Sequence, residues 1–126
     1  MVIETDKLSP RMRQQLLQFQ QLQQQGQMII QQRIQMELQL KETEKTLEEV
    51  SKLGKSSEIY KNIGALLIKS EKTSVSEELE ERKETLELRI KTLKKQEERI
   101  QQKLKEMQAK IQEDLKSEYE GTGSAG

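Results

Sequence analysis

The residues able to do chemistry in this chain are carboxylates, lysines and arginines. Its 126 residues include no His and no Cys, so an imidazole base and a thiolate nucleophile are both missing. Five carboxylates stand four positions before a base: Glu37–Lys41, Glu48–Lys52, Glu78–Arg82, Glu87–Lys91 and Glu106–Lys110. That spacing makes ion pairs on a helix face, each worth about 0.2–0.5 kcal/mol. It leaves the acids solvated, where nothing perturbs their ionisation for acid–base work. No phosphate-cradling loop of the Gly-x-x-x-x-Gly-Lys kind occurs, and no ligand cluster has metal spacing. The chain therefore reads as no enzyme, with no cofactor and no metal.

Charge and hydropathy exclude other classes. Lysine plus arginine and Asp plus Glu both total 22, giving zero formal net charge, whereas a nucleic-acid protein shows a basic excess or stripe. The longest apolar run, Ala65 to Ile68, is far short of the roughly 18 residues that cross a bilayer. Residues Met1 to Leu8 carry Glu4 and Asp6 and lack the apolar centre of a signal peptide. These features read as a soluble, cytoplasmic protein that binds neither nucleic acid nor membrane. The absence of cysteine records no redox compartment.

Only 32% of residues are hydrophobic and 2% aromatic, against about 45–50% apolar in a compact domain. Such a chain is either disordered or built of long helices, and periodicity decides. A strict alternating 3-4 spacing passes through Met12, Gln15, Phe19, Leu22, Gly26, Ile29, Arg33, Met36, Leu40, Thr43, Leu47 and Val50. A second passes through Leu79, Lys83, Leu86, Ile90, Leu93, Glu97, Ile100, Leu104, Met107, Ile111 and Asp114. Eight of the twelve positions and eight of the eleven are apolar, the 3.5-residue repeat of a coiled coil. The spacing predicts helices over about 9–53 and 74–118. Ser9 serves as N-cap before Pro10 at the first helical position. Gly54 offers a left-handed C-cap, and Ser74-Val75-Ser76-Glu77 has the form of a capping box.

Between the helices, Glu58 to Lys69 is rich in β-branched and aromatic residues and broken by Asn62-Ile63-Gly64, which predicts two short strands and a tight turn. The chain then reverses, and the helices run antiparallel with both termini at the end away from the strands. The fold class is mainly α: a long antiparallel two-helix coiled coil with a short central β-hairpin, in one domain over 1–120. Residues 121–126, Gly-Thr-Gly-Ser-Ala-Gly, read as a flexible tail or an expression remnant.

A two-stranded hairpin is marginal in water, and open apolar edges recruit other strands. Ile59, Tyr60, Ile63, Gly64, Leu66, Leu67 and Ile68 are thus the candidate assembly surface, with a sheet or barrel shared between subunits as the expected outcome. Folding of the hairpin onto its own helices is the competing reading. At the termini end, Met12, Leu16, Leu17, Phe19, Met107, Ile111, Leu115 and Tyr119 are candidate contacts for an apolar ligand. Leu16, Leu17 and Leu115 lie beside the seam and widen its stripe, and methionine suits adaptable surfaces. Ordinary seam packing is the competing reading, preferred for Leu22 and Leu104, while exposure is preferred for Leu16, Leu17, Leu115 and Tyr119. Gly26, on the seam, is open to two readings, a flexible point or a close helix approach.

The central Ile59-Tyr60-Lys61-Asn62-Ile63-Gly64-Ala65-Leu66-Leu67-Ile68-Lys69, placed between two long heptad helices, resembles the beta-type subunits of prefoldin. Phe19 to Gln25, Lys83 to Leu93 and Lys95 to Arg99 resemble them too, so the likeness spans about Ser9 to Gln112. Lys55-Ser56-Ser57-Glu58 departs from the acidic loop of that family. The resemblance implies a hexamer of two alpha-type and four beta-type subunits whose hairpins form an intersubunit β-barrel. It also implies ATP-independent holding of unfolded proteins at the coiled-coil tips and their delivery to a group II chaperonin. A structural coiled-coil scaffold without client binding is the alternative.

Overall fold

The computed structural model describes residues 8–124, with side chains through residue 118. Four elements follow one another: α1 (Pro10–Ser51), β1 (Ile59–Ile63), β2 (Leu66–Ser70) and α2 (Lys72–Ser124). The chain divides into two compact units. One is residues 32–93 and the other joins the residues up to 31 to those from 94 onward.

Helix α1 begins as its sequence dictates. The Met12 N–H donates to Ser9 Oγ at 3.2 Å, and the Arg13 N–H donates to the Ser9 carbonyl at 3.0 Å, which makes Ser9 the N-cap. Its other end differs from expectation. Among the described residues only Gly64 has positive φ, so Gly54 supplies no left-handed cap. Instead the last turn tightens, with the Leu53 N–H on the Val50 carbonyl at 3.1 Å. The Lys72 ammonium then donates to the carbonyls of Leu53 (2.6 Å) and Ser51 (3.4 Å). A cation on the last carbonyls satisfies orphan acceptors and opposes the negative end of the helix dipole.

The same lysine explains a second correction. Helix α2 starts at Lys72, with the Val75 N–H on the Glu71 carbonyl at 3.0 Å. Ser74 to Glu77 therefore lie inside its first turns and form no capping box. The helix also continues to Ser124, past the expected end near 118, so residues 121–124 are helical rather than a flexible tail. Once a helix is nucleated each residue adds a bond, and Gly121 and Gly123 cost only about 1 kcal/mol each.

In the unit of residues 32–93, Thr43, Val50, Leu86, Ile90 and Leu93 are buried. Thr43 sits in an apolar seam without penalty because its hydroxyl donates to the Gln39 carbonyl at 2.8 Å. Strands β1 and β2 pair antiparallel from Ile59↔Ser70 to Ile63↔Leu66. The two loop residues are Gly64 and Ala65. Positive φ at the first alone (58°) is the pattern of a type II′ turn, whose twist suits a hairpin.

In the other unit, pairing across the helices is antiparallel: Ser9 donates to Glu118, Gln15 to Asp114 at 2.9 Å, and Gly26 lies against Ile100. A Cβ built on Gly26 would meet Ile100 Cγ2 at 3.2 Å, which favours close approach over a flexible point. None of the predicted seam positions on either helix is exposed.

Candidate functional site

Two surfaces stand out. The first is the hairpin. Strand alternation places Ile59, Lys61 and Ile63 on one face, opposite Ser70, Ile68 and Leu66, while Tyr60 and Asn62 share the other with Lys69 and Leu67. Leu66 is 65% and Leu67 70% exposed, and Tyr60, Ile63 and Ile68 are exposed as well; only Ile59 is half-buried. Both faces thus offer apolar area, and the hairpin does not fold down onto its own helices. An ion pair among the described residues links strand to helix, Lys61 to Glu78 of α2. On the other face the Tyr60 hydroxyl donates to Glu58 at 3.2 Å.

The second surface is at the ends of the helices that carry the termini. Leu17 is 54% exposed, whereas Leu16, Phe19, Met107, Ile111 and Leu115 are half-buried. Met12, a predicted seam position as well as a candidate contact, is at 1% the most completely buried large side chain described. Polar residues flank it in sequence and bond across the two helices. Asp114 accepts from Gln15 and lies 3.8 Å from Arg11, and Ser9 bonds Glu118. Gln15 Oε1 is buried without a partner. The Tyr119 side chain lies outside the described residues. A cleft of about 150 Å³ opens between Gln15, Gln18, Met107, Lys110 and Ile111, room for roughly one large side chain.

Some participants escaped sequence reasoning. Helix spacing offers Arg82 to Glu78, which instead meets Lys61, and Lys41 to Glu37, which meets Arg33 at 3.2 Å. Helix spacing cannot foresee the first, which crosses elements. Met28, Ile34, Leu38 and Leu88 are exposed apolar residues off the seam, and their outward heptad positions were the available signal. Glu48 and Lys52 do pair, at 3.7 Å.

Among the described residues no group of three or more acids is placed to hold a metal ion, and no helix is long and apolar enough to cross a membrane. The architecture defines a class: long helices joined through an exposed apolar β-hairpin. The family model described as "Prefoldin subunit" matches residues 13–118. A prefoldin subunit beta from Archaeoglobus fulgidus is 47% identical over 94 residues, 75% of this chain and 81% of its own. One from Saccharolobus islandicus is 48% identical over 92 residues, 73% of each chain. The crystal structure of the prefoldin beta subunit from Thermococcus strain KS-1 superposes with a TM-score of 0.79 at 38% identity, covering 86% of this chain and 96% of that one. The beta2 subunit of the same strain gives 0.65 at 27%, covering 72% and 97%. The chain belongs to the prefoldin family and is of its beta type. It is a non-enzymatic chaperone component.

Proposed function

We propose that this chain is one of four beta-type subunits in a cytoplasmic hexamer with two prefoldin alpha-type subunits. The exposed hairpin carries this reading. A lone two-stranded hairpin with Leu66 and Leu67 largely in water is marginal by itself. Pairing with the hairpins of other beta-type and alpha-type subunits in an intersubunit β-barrel closes its edges and covers its faces. The helix ends carrying the termini then hold unfolded client proteins without ATP. Leu17 gives the first contact, and Leu16, Phe19, Met107, Ile111, Leu115 and Tyr119 follow, with Met12 joining when the ends part. The client passes from there to a group II chaperonin.

Light scattering from a chemically unfolded protein diluted without ATP tests the reading, using the chain assembled with an alpha-type subunit. Combined Leu16→Ser, Leu17→Ser and Leu115→Ser should lose most of the suppression while the assembly mass stays unchanged. Leu67→Asp should break the assembly itself. Full suppression by the triple variant would overturn the client surface. An intact assembly that never suppresses aggregation would make the chain a scaffold.

A further inference from the structure

Lysine 61 is out of place. It stands in the middle of β1, on the same face as Ile59 and Ile63, directly across from Ile68 and diagonal to Leu66. That face has more apolar side chains than the other, so it is the better candidate for burial. A charged group in its centre is a familiar device against indiscriminate strand pairing. Yet this one is not left to solvent: its ammonium bridges to the carboxylate of Glu78, in the second turn of α2.

In the free chain the pair does little. The two side chains are 40% and 52% exposed, and ion pairs of that kind contribute little to stability. The balance changes when another subunit covers the face. Lys61 then leaves water, and a buried lysine without a counter-charge is heavily penalised, whereas one that enters already paired is tolerated. Glu78 belongs to the same chain and the same compact unit, so it travels with the hairpin.

We propose that Lys61–Glu78 is an assembly lock that determines which subunits this hairpin accepts. It neutralises the one charge on the apolar face from within, so the accepted partner is a subunit that presents an apolar, uncharged surface to this position. A partner carrying a lysine or arginine there competes for Glu78 and is refused; one carrying an extra carboxylate leaves an acid unpaired. The lock rests on the hairpin assembly proposed above and deepens it.

The test uses the full chain titrated with an alpha-type prefoldin subunit, with complexes counted by native mass spectrometry and helicity followed by circular dichroism. Glu78→Lys and Lys61→Glu should each weaken assembly by about tenfold or more, since breaking a desolvated pair leaves the survivor's charge unmatched. The double exchange, Lys61→Glu with Glu78→Lys, should restore most of it. All three should leave the helicity and unfolding midpoint of the isolated chain unchanged, because the pair is solvated there. Single variants that assemble normally, or an exchange no better than the worse single variant, would overturn the lock. Leu66→Asp separates this from the assembly reading. If Leu66→Asp abolishes assembly while the charge variants do not, the lock alone fails. If Leu66→Asp also assembles normally, the hairpin is not the interface and both readings fall.

Discussion

The two compact units share the same two helices and the same heptad repeat, yet they bury their seams differently. In residues 32–93 the seam closes over Val50, Leu86, Ile90 and Leu93, with Thr43 satisfied by its own helix. Among the described residues of the unit holding the helix ends, only Met12 and Gly26 are buried, and Phe19, Leu22, Ile29, Ile100, Leu104, Met107 and Ile111 stay half-buried. The composition of single layers accounts for the contrast. Gln15, Glu97 and Asp114 put an amide and two carboxylates on this seam and Gly26 removes a side chain, whereas the polar seam positions of residues 32–93 are Arg33, Thr43 and Lys83, of which Thr43 bonds its own helix. An identical repeat therefore gives a firm region and a soft one. The proposed client surface would call for such softness, because functional segments come from the low-stability end of a structure.

The largest effect that would break this comparison is a truncation in the firm unit. Ile90→Ala should cost about 2–4 kcal/mol, since a fully enclosed site cannot collapse around the cavity. The matching change in the soft unit, Ile100→Ala, should cost roughly half as much, because a half-buried side chain loses less transfer energy. Urea unfolding followed by circular dichroism reads both, and equal costs would erase the distinction. Turning the polar layer apolar should have the opposite sign. Gln15→Leu with Asp114→Leu removes an unsatisfied buried oxygen and should stabilise by about 1–2 kcal/mol. A loss of stability would show instead that the layer holds the helix ends together.

How far the sequence could be read divides along the same lines. Heptad spacing marked both seams correctly to the residue, because burial of an apolar stripe is a periodic property that each helix declares separately. The hairpin was legible from its β-branched run and Gly64, though its turn falls one residue later than Asn62-Ile63-Gly64 implied. What escaped were contacts made between elements. Lys72 ends α1 from another helix, and Lys61 takes Glu78 from Arg82. Each depends on three-dimensional proximity that no local spacing encodes. The candidate surfaces were visible as residue types, but which of those residues stand open was not.

The caps provide a smaller and cleaner comparison. Ser9 and Ser74 look alike in sequence, each a serine at a helix start, but Ser9 accepts the Met12 N–H while Ser74 lies within α2. Ser9→Ala should therefore cost about 1 kcal/mol, and Ser74→Ala should stay within roughly 0.5 kcal/mol. Thermal unfolding of the two variants distinguishes them, and equal shifts would return the capping box to Ser74.

The smallest expected effect carries the most information about the soft unit. Gly26→Ala relieves a helix of its least favourable ordinary residue, worth about 1 kcal/mol in propensity. Against that gain, the new methyl meets Ile100 Cγ2 at 3.2 Å, a few tenths of an ångström too close. Ile100 is β-branched and stiff about χ1, so it yields by shifting with its backbone rather than by rotating away. The two terms nearly cancel, and the net change should fall within about 0.5 kcal/mol. Gly26→Val tips the balance, because it adds further bulk to the same contact and gains less propensity; it should cost about 1–3 kcal/mol. Combining Gly26→Val with Ile100→Ala should recover much of that loss, since the second change makes the room the first requires. Recovery would establish that glycine is present for close approach of α1 to α2. If Gly26→Ala instead stabilised by the full propensity gain while aggregation suppression fell, the glycine would be serving flexibility, and the softness of this unit would have its source in the backbone of α1 rather than in the polar layer beside Met12.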